Sequence, residues 1–249
     1  PVYGLLTGTG SHIYADNVEI SFTVSPNSGD ISGVLDHNGG SGTYNNLRIT
    51  AVMSSGTNTK DNISIIRTNW NTTATLLNSK VSLTNNATSN NEADKIFNNE
   101  RNSVTYIYVY NTEVVYSSSS HSVYVAYNPS GNFYMSGSRI IASTAGSSSE
   151  VYGLRTSTGG SNTLVNNYFT LSKSSGGQNV YGIYALTNNL TARNNTFIVS
   201  NSGSGGYAYG LYAYASSPTF SHNWISATGT SGSSGYGFYT TSATCNSFL

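Results

Sequence analysis

Val180-Tyr181-Gly182-Ile183-Tyr184-Ala185, followed by Asn194-Asn195-Thr196-Phe197, is one unit of a pattern that recurs through the last hundred residues. The first motif returns as Val151-Tyr152-Gly153-Leu154, Tyr209-Gly210-Leu211 and Tyr236-Gly237-Phe238, so its glycines step by 29, 28 and 27 residues. The second returns as Asn166-Asn167-Tyr168-Phe169 and His222-Asn223-Trp224-Ile225, each 28 residues from the central copy. Two markers that keep one period identify an internal repeat, and periods of about 20–50 residues belong to solenoids and related arrays.

Working outward, the phase continues with decay. Tyr124 precedes Tyr152 by 28 residues. Gly4 and Gly33 are 29 apart, as are Asn17-Val18-Glu19-Ile20 and Asn46-Leu47-Arg48-Ile49. Between them, residues 60–120 hold the phase loosely. Within a unit, Ala192, Phe197 and Val199 align with Leu164, Phe169 and Leu171, and with Phe220, Ile225 and Ala227. Their spacing has the two-residue period of strands, and Asn, Gly and Ser fill the turns between them. The unit is shorter than a propeller blade of about 40 residues, and it has no leucine-rich-repeat spacing. The pattern predicts an all-β parallel β-helix (β-solenoid) of about eight to nine coils with roughly 28 residues each. At about 4.8 Å per coil that is a rod roughly 40 Å long. One domain, 1–249, is expected, with regular coils over 121–249 and looser coils with insertions over 50–120. The last strand phase stops halfway through a coil, and neither end shows a polar capping unit. A segment of a longer chain, or ends that stack on neighbours, is the expectation.

A residue that keeps its phase stacks on its copies in adjacent coils. Asn167, Asn195 and Asn223 should therefore form an amide ladder, and Phe169, Phe197 and Ile225 an apolar stack. Glu19 and Arg48 share a phase and should pair across strands. Composition agrees with stacking. Ser, Asn, Thr and Gly make up more than half of the 249 residues, and only 8% are charged, with a formal net charge of zero. Like charges stacked at coil spacing repel, whereas Ser, Thr and Asn stack freely. That balance argues against a nucleic-acid partner, which needs a basic footprint. No apolar run approaches the length of a membrane span. With 37% hydrophobic residues and 20 Tyr, the chain is too apolar for disorder.

The Tyr-Gly-Ile/Leu and Asn-Asn-x-Phe pattern resembles the right-handed parallel β-helix repeats of pectin-lyase-like and bacterial surface (adhesin-type) proteins. The resemblance covers residues 121–249 clearly and 1–50 moderately. It implies the fold and the right hand, whereas the group's functions range from polysaccharide lyases and hydrolases to tailspikes, adhesins and passenger domains.

Cleavage of polysaccharides needs paired carboxylates, or Ca²⁺ held by carboxylates together with a base. All ten acids fall within residues 1–150, and the coils from 151 onward carry only Arg155, Lys173 and Arg193. No Asp-Asp pair or Gly-His-Gly is present, so the group's hydrolase motifs do not carry over. Asp30, Asp61, Asp94, His121 and Glu150 step at close to the coil period and could form a turn-edge column. A solvated turn is the favoured reading of that column, because Lys60 and Lys95 sit beside two of its acids. No metal or cofactor is expected. His12, His37, His121 and His222 lack ligand spacing and read as structural, and Cys245 reads as a buried inert thiol, with an intermolecular disulfide as the alternative.

Tyrosines supply the candidate site. Tyr127, Tyr184, Tyr212 and Tyr239 share a phase interrupted by Arg155, and alternation sends them outward as a glycan- or protein-contact stripe. The alternative is that the rings only cover and stiffen the sheet. The second column, Tyr152, Tyr181, Tyr209 and Tyr236, shares parity with inward residues and is expected in the core or at a corner.

The reading is a non-catalytic extracellular or cell-surface rod: a stalk, adhesin segment or filament subunit. Polysaccharide or host glycan is its candidate partner, and self-association runs through its ends. The alternative is a polysaccharide lyase or glycoside hydrolase with its site in 50–120, using Asp61, Glu92, Asp94, Glu100 and Arg101. An ice- or crystal-surface binder ranks last, because the outward positions mix Tyr, Ser, Asn and Arg.

Overall fold

Short runs of β-branched and aromatic residues, separated by Asn, Gly and Ser, can bury a face only by adding strands from the next repeat. The chain does this throughout. The structure, a computed structural model, describes residues 5–24, 34–56, 64–88, 93–99, 104–157, 159–186, 189–214, 217–230 and 232–241. They form 25 strands, every third of which joins the same sheet. The result is a parallel β-solenoid with three sheets of nine, eight and eight strands and no described helix.

Register confirms the repeat. In the first sheet Val123 pairs with Val151, Val151 with Val180 and Val180 with Ala208. The middle of the chain stays in the same ladder, with Ser64 opposite Lys95 and Asp94 opposite Val123. Glu19 lies opposite Arg48 in the third sheet, as the shared phase required. The interior is one apolar cluster running the length of the solenoid. Phe169 and Phe197 stack there with ring centroids 4.9 Å apart.

The Asn-Asn pair has two jobs. Its second member forms the expected ladder: Asn167 Nδ2 donates to Asn195 Oδ1 at 3.0 Å, and Asn195 Nδ2 to Asn223 Oδ1 at 3.0 Å. Each Oδ1 also accepts the backbone N–H of the preceding rung, at 2.9 Å. Its first member makes the corner between the second and third sheets. Asn17, Asn46, Asn78, Asn111, Asn166, Asn194 and His222 all hold φ between 47° and 55° there, and Gly137 takes the same place at 63°. Asn tolerates this left-handed backbone because its short amide bonds locally, whereas most L residues lose about 1–2 kcal/mol.

Strict alternation fails in the first sheet. Gly153 faces the core, where an added Cβ would meet Phe169 and Leu171 side chains and lie 2.4 Å from Gly182 O. The next residue, Leu154, is also buried in the core. Two consecutive inward residues shift everything before them by one. Tyr152 therefore points outward, as Arg155 does, three residues later.

Candidate functional site

This shift corrects the expectation for the second tyrosine column. Tyr152, Tyr181 and Tyr209 are only 6%, 6% and 7% exposed, yet they belong to a cluster separate from the core. Tyr124, Tyr184, Tyr212 and Tyr236 pack against them. They are covered by other rings on the outer face of the first sheet. The candidate column lies beside them in exact register: Tyr127 opposite Arg155, Arg155 opposite Tyr184, Tyr184 opposite Tyr212, and Tyr212 opposite Tyr239.

The two columns form one network. Along the rod, Tyr124, Tyr152, Tyr181, Tyr209 and Tyr236 stack at 4.7, 4.7, 5.1 and 5.4 Å. Tyr184, Tyr212 and Tyr239 stack at 5.0 and 5.3 Å. Across the columns the contacts are edge-to-face, as for Tyr181 with Tyr184 at 5.1 Å and Tyr209 with Tyr212 at 5.2 Å. Both arrangements satisfy the ring quadrupole. Parallel rings this close cover each other's faces, so the inner rungs present edges and hydroxyls to solvent. Tyr239, at the end of its stack, is 36% exposed.

Arg155 replaces a ring and is held by rings. Its guanidinium lies 5.2 Å from Tyr124, 5.7 Å from Tyr127 and Tyr152, and 6.0 Å from Tyr184. Arg155 Nη1 donates to Tyr124 Oη at 3.2 Å. Glu150, from the corner before the strand, accepts the Tyr152 hydroxyl at 2.7 Å. Burial, then the Glu150 charge, pushes the Tyr152 phenol far above its ordinary pKa. Burial leads the rise at Tyr181, against the hydrogen bond that its oxygen accepts from Asn179 Nδ2 at 2.7 Å. Tyr209 is pushed up to about 12, mainly by burial.

Among the described residues, Asp94, His121 and Glu150 do not line up as the acidic column. Asp94 is fully buried, accepts from Asn85 Nδ2 at 2.9 Å and from the Tyr116 hydroxyl, and stands in register with Val123. His121 lies two residues before that register and is buried, while Glu150 serves Tyr152. Asp94 is thus neither a turn-edge ligand nor a solvated charge, because the irregular coil lengths slide it onto an inward strand position. Asp30, Asp61, Glu92, Glu100, Arg101 and Cys245 lie outside the described residues. Among the described residues no group of three or more His, Cys, Asp or Glu side chains could hold a metal ion.

Two outer-face features went unread in the sequence. Tyr106, Tyr108 and Tyr134 line a cleft of about 190 Å³ on the second sheet with Asn132, Ser161 and Thr163. On the third sheet, two outward columns hold only Ser, Thr, Val and Ile, as in Thr170 with Ser172 and Ile198 with Ser200. The outward mixture of Tyr, Ser, Asn and Arg read from the sequence is therefore partly sorted by sheet.

The fold places the chain among parallel β-solenoid proteins. Comparison with protein-family profiles, with curated proteins and with solved structures found no match in any of the three.

Proposed function

We propose that this chain is a non-catalytic structural or adhesive rod working outside the cell, as part of a surface stalk, adhesin or filament, with glycan as its candidate ligand. The observation that carries the reading is the tyrosine face of the first sheet. It is a continuous stack of rings with Arg155 set into it, on a scaffold whose every coil is tied to the next. A face of ring edges and hydroxyls offers apolar contact and hydrogen bonds together, the combination that Tyr contributes to contact surfaces. The low charge and the resemblance to bacterial surface repeats favour an extracellular setting and a neutral partner. The polysaccharide-cleaving alternative loses Asp94, which is sealed in the coil with Asn85 and Tyr116.

Retention on a panel of immobilised polysaccharides tests the reading. The native chain is compared with a variant carrying Tyr184→Ala, Tyr212→Ala and Tyr239→Ala. Retention by the native chain that the variant loses, with no new reducing ends in the eluate, is the expected result. Native retention that survives in the variant would remove the tyrosine face as the contact surface, and release of cleaved sugar would overturn the non-catalytic reading.

A further inference from the structure

Neither stiffening nor adhesion uses the carboxylate that accepts a hydrogen bond from one rung of the ladder. We propose that the tyrosine face is also a one-electron oxidation site, in which oxidising equivalents captured at exposed rings collect on Tyr152 while Glu150 takes its proton. The inference is independent of any glycan.

A phenol that loses an electron becomes a strong acid, so its oxidation is easy only where a base already holds the hydroxyl proton. Tyr152 has such a base, because its hydroxyl donates to Glu150 Oε2 at 2.7 Å, a hydrogen bond strengthened by the carboxylate charge. The other ladder phenols with side-chain partners are on the accepting end. Tyr181 Oη receives Asn179 Nδ2 at 2.7 Å, and Tyr124 Oη receives the Arg155 guanidinium at 3.2 Å. Donors aimed at the phenol oxygen, and a positive charge most of all, make loss of an electron harder. Arg155 also lies 5.7 Å from the Tyr152 ring, but its N–H is aimed at Tyr124 Oη while the Tyr152 hydroxyl faces the opposite charge of Glu150, so Tyr152 is the favoured resting place.

The path to it is continuous. From exposed Tyr239 the ring centroids step 5.5 Å to Tyr209, 5.1 Å to Tyr181 and 4.7 Å to Tyr152. A one-electron oxidant, such as a peroxidase-type metal-oxo species or photogenerated trivalent ruthenium, takes one electron from Tyr239, which releases its hydroxyl proton to water. An electron then passes down the stack from Tyr152 to refill Tyr239, which regains a proton from water. At Tyr152 the O–H bond breaks and the proton moves to Glu150 Oε2. The net change is one reduced oxidant, one neutral phenoxyl radical at Tyr152 and one carboxylic acid at Glu150. That radical sits on a ring only 6% exposed and covered by its neighbours. Coupling of two phenoxyl radicals from different chains into a carbon–carbon dityrosine bond is sterically blocked there.

The whole chain is photo-oxidised with tris(bipyridine)ruthenium(II) and persulfate. The radical is followed by electron paramagnetic resonance, and covalent dimers are counted on denaturing gels. The native chain should hold a slowly decaying tyrosyl signal with few dimers. Glu150→Gln removes the base and Tyr152→Phe removes the phenol while keeping the stack. Each should shorten the signal and raise dimer yield several-fold, at an unchanged melting temperature. Other exposed tyrosines, such as Tyr14, give the same background in every variant. Variants that match the native chain in both readouts would overturn the proposal. So would a change in Glu150→Gln alone, which would place the radical elsewhere.

Discussion

Asn195 is the rung whose removal tests whether the amide ladder holds the coils together. It is 1% exposed and its side chain takes part in four hydrogen bonds. Its Oδ1 accepts the backbone N–H and the side-chain Nδ2 of Asn167, at 2.9 and 3.0 Å. Its Nδ2 donates to Leu164 O at 2.9 Å and to Asn223 Oδ1 at 3.0 Å. Asn195→Ala removes all four. Asn167 Nδ2 keeps Met135 O, and Asn223 Oδ1 keeps the Asn195 N–H. The Asn167 N–H and the Leu164 carbonyl lose their amide partners inside the coil. At about 1–3 kcal/mol for each buried polar group left short of a partner, with no water able to enter, the expected loss is about 4 kcal/mol. For a chain of this size that lowers the melting temperature by about 10 °C. Circular dichroism melting measures it, and hydrogen exchange should show the protection lost first in the coils either side of Asn195, since a solenoid couples nearest neighbours. Asn194→Gly is the companion variant. It keeps the left-handed corner at φ 54° and should change stability by less than about 1 kcal/mol. An Asn195→Ala chain within about 1 kcal/mol of native would refute the argument that these amides are structurally essential.

Two further outcomes follow from single positions. Gly182→Ala places a Cβ 2.3 Å from Gly210 O and 3.0 Å from Phe197 Cδ1, so the neighbouring backbone must move. A loss of about 2–3 kcal/mol in denaturant titration is expected, against about 1 kcal/mol for Gly205→Ala, which meets nothing within 4 Å but sits at φ +87°. His37 is held by Thr7 Oγ1 at 2.8 Å and Tyr44 Oη at 3.1 Å, and burial, then the His12 charge, lowers its pKa to about 4. The unfolded chain then binds a proton that the folded chain refuses between about pH 6.5 and 4. Stability therefore falls as pH drops through that window, by roughly 3 kcal/mol. Melting curves at pH 7 and pH 4 check this. His37→Gln should lose most of the difference, and an unaltered pH slope in that variant would sink the assignment.

The parts of the fold legible in the sequence are those where one residue type keeps one phase. The period, the Asn167–Asn195–Asn223 ladder, the Phe169–Phe197 stack and the Glu19–Arg48 register all follow from copies that must stack on themselves. Tyr152 was misplaced because alternation assumes that inward and outward residues take turns, and Gly153 hides the exception by having no side chain. A signal was present in the coils that precede Gly153. Ile65-Ile66, Ile96-Phe97 and Val125-Ala126 are consecutive buried pairs on the same sheet, at the place where the regular coils put Gly-Leu or Gly-Ile. Asp94 was misread for a related reason. Coil lengths vary, so sequence spacing alone could not say that it slides onto an inward strand position beside Asn85 and Tyr116. The first Asn of each pair was seen as a marker, while its left-handed backbone is a property that only geometry displays.

A charge in a solenoid must find its partner in the next coil or be placed where no copy stacks on it. Glu113 takes the first course, lying 3.4 Å from Lys80 on one side and 4.0 Å from Arg139 on the other. From Glu150 onward the chain takes the second. Lys173 is buried with its ammonium on the Gly146 carbonyl, and Arg155 is enclosed by four rings. Glu150 sits at a corner with a phenol as its partner. A tyrosine ladder needs no charges to stand, since the rings bury area and align quadrupoles without them. That Glu150 and Arg155 flank the same rung, one accepting a hydrogen bond from Tyr152 and the other donating one to Tyr124, makes neighbouring phenols chemically unequal within a stack that is geometrically uniform. Uniform stacking accounts for the rod, and the inequality is what a purely mechanical ladder would not require.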